Sequence, residues 1–75
     1  MADLTLSEIE DARRNPRPGD EWRRGKELRV VREITAKCLA MGRFCGEQCV
    51  MPVYPWISQF REWTRNATLV RRGNA

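Results

Sequence analysis

Residues 54–66 read YPWISQFREWTRN, a stretch holding two of the three tryptophans and one of the two phenylalanines. Trp56, Ile57, Phe60 and Trp63 fall at i, i+1, i+4 and i+7, which places them on one face of a helix. Ser58, Gln59, Arg61, Glu62 and Arg65 take the other face. Pro55 suits the first helical position, where its missing N–H would have no intrahelical partner, and Asn66 suits a left-handed stop. A helix this short is unstable alone and must dock its apolar face on the rest of the chain. Trp56, Phe60 and Trp63 are therefore expected to pack inward, leaving Arg61 and Arg65 outside as a secondary surface for a partner.

The segments on either side of this helix have strand character. PRPGD, residues 16–20, carries two prolines and a glycine and forces a turn. Trp22 then opens a short strand ending at the turn Arg24-Gly25-Lys26. LRVVREI, residues 28–34, alternates with period two: Leu28, Val30 and Ile34 are expected inward, and Arg29, Val31 and Glu33 outward. Arg32 falls on the inward register, which predicts a bulge or bend near Val31. A third strand is expected over Cys38–Phe44 and a turn at Gly46-Glu47. A fourth strand follows over Gln48–Val53, with Pro52 marking an edge or an end. After the helix, Thr68–Arg72 forms the last strand. Ahead of everything, residues 1–15 are expected to form a short helix or arm. Thr5 or Ser7 caps it, Glu8 or Glu10 completes a capping box, and Arg13 and Arg14 complement the dipole at its end. It either packs through Leu6 and Ile9 or serves as an arm that neutralises the basic body.

The expected fold is therefore α+β and mainly β: a small five-stranded barrel over residues 16–75, with an N-terminal helix and a short helix before the last strand. Short strands with hairpin-length connections favour such an architecture over a parallel α/β fold. The element order, together with Pro18-Gly19-Asp20 before the first strand, resembles the KOW and Tudor branch of the SH3-like barrels. A second likeness rests on Pro18-Gly19-Asp20-Glu21-Trp22, the Val-rich strand Leu28–Ile34, Phe60-Arg61-Glu62-Trp63 and the closing Leu69–Arg72. In these parts the chain resembles small uncharacterised proteins encoded by phages and prophages. That resemblance implies an accessory protein that binds host machinery, and it carries no active site with it.

Charge supplies the main functional lead. The net charge is +4, but four acids and no cations occupy residues 1–12. From Arg13 onward fourteen cations, twelve of them arginine, face six acids, a net charge of +8. Arginine makes bidentate contacts to phosphate or carboxylate, so the expected partner is nucleic acid or an acidic protein surface. The binding set expected from the pattern is Arg23, Arg24 and Lys26 on the first hairpin with Arg29, Arg71 and Arg72 on flanking strands. Trp22, beside that turn, is the aromatic chosen to contact a ligand. Interleaved acids (Asp20, Glu21, Glu27, Glu33) keep open a scattered, acid-paired surface instead, and an inhibitor or adaptor of host machinery without nucleic-acid contact stands as the alternative function. With no histidine, no phosphate loop and no serine in an elbow context, a non-enzymatic role is expected. Cys38, Cys45 and Cys49 are spaced C-x6-C-x3-C, which is neither a disulfide framework nor a zinc pattern, so no metal or other cofactor is expected. No apolar run is long enough to span a bilayer and no charged-then-apolar leader opens the chain, so a cytoplasmic protein without membrane contact is expected.

Overall fold

The computed structural model describes residues 4–73. Its elements in chain order are α1 (Leu6–Arg14), β1 (Glu21–Arg24), β2 (Glu27–Ile34), β3 (Leu39–Cys45), β4 (Gln48–Val53), α2 (Ile57–Thr64) and β5 (Thr68–Arg71). The strands form one antiparallel sheet in the order β4-β3-β2-β1-β5. The class is thus α+β and mostly β, with β4 and β5 as the two edges of an open sheet. Pro52 accordingly lies on an edge strand, where a missing N–H is tolerated. The β1–β2 and β3–β4 hairpins turn on Gly25-Lys26 and Gly46-Glu47. Both glycines have positive φ, 63° and 65°, as a type II′ turn requires at its first central position.

The core comprises Ala12 of α1, Trp22, Val31, Leu39, Met41 and Leu69 of the strands, and Phe60 of α2. Trp22 meets Phe60 edge to face, with ring centroids 6.1 Å apart and an interplanar angle of 86°. Trp22 also sets the face of β2. It pairs with Arg29 and with Leu69, so Glu27, Arg29 and Val31 share its inner side. The expected inward set of Leu28, Val30 and Ile34 is therefore reversed: Val31 is buried, Leu28 and Val30 are half-buried, and Ile34 is exposed. Alternation reveals which residues share a face, but the covering elements decide which face is wet. The irregularity expected near Val31 is present as a register shift between Val31 and Glu33. Arg32 there lies across Gly42, where an added Cβ would come within 2.9 Å of its Nε.

Phe60 sits in the core as the helical period requires, but Trp56 does not. Its backbone is extended and forms a bridge with Cys38, flanked by hydrogen bonds from Leu39 N to Pro55 O (3.0 Å) and Ile57 N to Lys37 O (2.9 Å). Trp56 is thus the N-cap of α2, with its N–H donated to Gln59 Oε1 at 3.0 Å and its side chain 55% exposed. Pro55 precedes the cap rather than opening the helix. At the other end Arg65, Asn66 and Ala67 donate three residues back, to Glu62, Trp63 and Thr64. Among the described residues no non-glycine has positive φ, so Asn66 is not a left-handed stop. α1 starts as expected, with Thr5 Oγ1 accepting from Glu8 N at 3.1 Å. It packs through Ile9 and Ala12, with Leu4 ahead of it also against the core, whereas Leu6 is 70% exposed.

Pro18-Gly19-Asp20 ties both ends of the chain to this sheet. The fully buried Asp20 carboxylate accepts from Arg17 N (2.8 Å), Gly73 N (2.6 Å) and Arg72 Nη1 (2.5 Å). Gly73 packs so closely that an added Cβ would lie 2.1 Å from Pro18 O. Arg72 Nη2 extends the network to Asp11 Oδ2 (2.7 Å) and Asn15 O (2.9 Å), which anchors α1. The Asn15 side chain holds the Asp11 carboxyl below its ordinary value. Desolvation opposes this lowering, and the Arg72 hydrogen bond and charge add to it.

Removing one partner of a buried charge pair leaves the other uncompensated, at about 3–5 kcal/mol. Asp20→Asn is expected to lose that much stability in urea unfolding. Phe60→Ala is expected to lose about 3–5 kcal/mol through the cavity it leaves. A wild-type midpoint for either variant would overturn the corresponding assignment. The lowered Asp11 value makes its contribution present above about pH 4 and lost as pH falls through the folded-state value. The difference in Tm between wild type and Asp11→Asn should therefore shrink in acid titration below about pH 4.

Candidate nucleic-acid interface

A phosphate ligand needs cations that are exposed and not already neutralised, and the β1–β2 hairpin provides three. Arg23, Arg24 and Lys26 are all exposed, and none has a carboxylate within ion-pair distance among the described residues. The cross-strand neighbours of Arg23 are Leu28 and Thr68, which carry no charge. The neighbour of Arg24 is Glu27, whose carboxylate is engaged by Arg29 and, at 3.5 Å, by Arg43. The second hairpin comes alongside: Gly46 N donates to Lys26 O at 3.4 Å. Arg23, Gly25, Lys26, Leu28 and Gly46 line a depression of about 280 Å³ between the two turns.

The other residues expected in the site are placed differently. Trp22 is fully buried against Phe60, with the Arg13 guanidinium 5.8 Å from its ring centroid, and is a core residue rather than a contact residue. Arg29 is turned inward, paired with Glu27, and stacked 4.2 Å from the centroid of the half-buried Trp63 ring. Arg72 is spent on Asp20 and Asp11, its side chain 13% exposed. Arg71 is exposed but faces Glu21 at 3.5 Å, at the end of β1 away from the hairpin turn. The first and last strands do pair, yet the six cations do not merge: three cluster, one stands apart and two are internal.

On α2, Arg65 pairs with Glu62 at 3.4 Å, and both side chains are more than 70% exposed, so the pair contributes little. Arg61 reaches across to α1, donating from Nε to Arg13 O and from Nη2 to Arg14 O at 3.4 Å each. Arg13 and Arg14 thereby join the basic surface beside Arg61 and Arg65. Nothing in the sequence ties residues so far apart to α2; only the docking of the two helices does.

Cys45 and Cys49 are exposed and Cys38 is half-buried, all as free thiols. Cys45 is opposite Gln48 and Cys49 opposite Phe44, so the two hairpin thiols point to opposite faces of the sheet. Among the described residues no three Cys, Asp or Glu side chains gather as a metal-binding set, and no helix is long and apolar enough to cross a membrane. The chain has no significant match among protein-family models, curated proteins or solved structures.

The burial contrast between tryptophans is directly measurable. Trp56→Phe should remove most of the acrylamide-quenchable emission, whereas Trp22→Phe should leave the quenchable fraction intact in a folded protein. Strong quenching that survives Trp56→Phe and disappears with Trp22→Phe would reverse the assignment.

Proposed function

We infer that this domain is a non-enzymatic binding module whose β1–β2 hairpin takes the phosphates of a nucleic acid. The observation that carries this reading is the set of three exposed cations, Arg23, Arg24 and Lys26, with no carboxylate within ion-pair distance among the described residues. Internal acids neutralise Arg29 and Arg72, whereas the three hairpin cations face solvent side by side on one turn. The order β4-β3-β2-β1-β5, with a helix between β4 and β5, supports an SH3-like barrel as the architecture. The phage-type pattern from Pro18 to Trp22 and from Leu69 to Arg72 supports an accessory protein that acts on a host macromolecule.

Phosphate contacts release counterions, so the observed affinity should fall linearly on a log–log salt plot, with a slope of about 0.7–0.9 per contact. In anisotropy titrations with duplex and single-stranded DNA and RNA, Arg23→Ala, Arg24→Ala and Lys26→Ala should each reduce that slope by about one. Absence of binding at low salt, or an unchanged slope in the triple variant, would overturn the reading.

An apolar hollow of about 330 Å³ next to edge strand β4 supports a protein-binding adaptor as the second reading. Arg32, Ala40, Val50, Pro52 and Tyr54 are among its lining residues. Its signature is a host protein retained after nuclease treatment and lost with Tyr54→Ala.

A further inference from the structure

The basic groove between α1 and α2 is separate from the hairpin. Arg13, Arg14, Arg61 and Arg65 line it together with a single acid, Glu10, around a volume of about 380 Å³. Two of these arginines cap each other's helix. Arg61 donates to the last carbonyls of α1, and Arg13 Nη2 donates to Thr64 O at the end of α2 (3.1 Å). This cross-capping explains why Arg13 and Arg61 are present and fixes their guanidinium planes. Arg13 uses one of its five donors in these bonds and Arg61 uses two. Arg13 Nε is buried and has no hydrogen-bond partner.

Cross-capping does not account for Arg14 or Arg65. Four guanidinium groups around one hollow repel one another. Glu62 offsets Arg65 only through an exposed pair, which an anion can displace at little cost. Four guanidinium groups lining one hollow offer more paired donors than a single oxyanion can take up, so the groove suits a short chain of phosphates better than one phosphate.

We propose that the interhelical groove binds a linear polyphosphate anion: Arg13 and Arg61 form a rigid floor, and Arg14 and Arg65 close over the ligand from the rim. Arginine matches this ligand class because its planar fork meets phosphate oxygens bidentately. The ligand draws on the same chemistry whether it is free pyrophosphate, tripolyphosphate or the phosphate chain of a nucleoside triphosphate.

The test is calorimetric titration of the intact protein with pyrophosphate, tripolyphosphate and ATP, alongside a single-stranded oligonucleotide lacking terminal phosphates. Wild type should bind tripolyphosphate at one site, at least tenfold more tightly than inorganic phosphate. Arg14→Ala/Arg65→Ala, which leaves both caps in place, should weaken tripolyphosphate at least tenfold while retaining the wild-type Tm without ligand. The hairpin variant Arg23→Ala/Arg24→Ala/Lys26→Ala should keep tripolyphosphate affinity within threefold, so failure here and failure of the hairpin reading are separable. Equal affinity for ATP and tripolyphosphate would assign the site to the phosphate chain, and tighter ATP binding would add a base contact. Oligonucleotide binding in the groove as tight as that of tripolyphosphate would mean a nucleic-acid site instead and overturn the proposal. Equal weakening of tripolyphosphate by the rim and hairpin variants would mean diffuse charge attraction and overturn the proposal. So would single-phosphate affinity in wild type, or tripolyphosphate affinity unchanged in the rim variant.

Discussion

The buried carboxylate of Asp20 is the constraint on which the remaining structure depends. A charge removed from water must be fully paired and hydrogen-bonded, and here it is met by two backbone N–H groups and the Arg72 guanidinium. Meeting that demand draws the end of β5 against the turn that precedes β1. Arg72 then reaches Asp11 and Asn15 and fixes α1 on the same side. One carboxylate thus joins three segments far apart in sequence, in a chain near the lower size limit for a self-sufficient core. The absence of a Cβ at Gly73 lets the backbones approach closely enough for these bonds to form.

This arrangement sorts the arginines by physical role. Arg72 neutralises a buried acid, Arg29 is sandwiched between Glu27 and Trp63, and Arg13 and Arg61 satisfy carbonyls at helix ends. A strongly basic composition is therefore partly an internal requirement of the fold. What is left for a partner lies on the β1–β2 hairpin and on the rim of the interhelical groove. Those side chains are exposed, and the one ion pair described among them, Arg65 with Glu62, is itself open to solvent.

Much of the architecture was legible from local signals. PRPGD, Gly25 and Gly46 mark turns that no other residues would make so readily, and Phe60 falls where the helical period requires. Thr5 caps α1, and Arg32 marks the irregularity in β2. The misplacements share one cause. Trp56 has the right spacing for the buried face, but its backbone is used in a bridge to Cys38 before the helix begins. In β2, Val31 rather than Val30 faces the core, because Trp22 and Leu69 across the sheet choose the side. Trp22 beside a basic turn reads as a ligand contact, whereas Phe60 and Arg13, distant in sequence, enclose it.

The candidate site divides along the same line. The sequence by itself determined the element order, the turns, the mainly β class and the excess of arginine, because these follow from local backbone preferences and side-chain chemistry. Only the tertiary structure decided which arginines remain exposed without an acid. Ion pairing depends on partners brought together by folding: Glu27 to Arg29 and Arg43, Asp20 to Arg72, and the ends of α1 and α2 to each other.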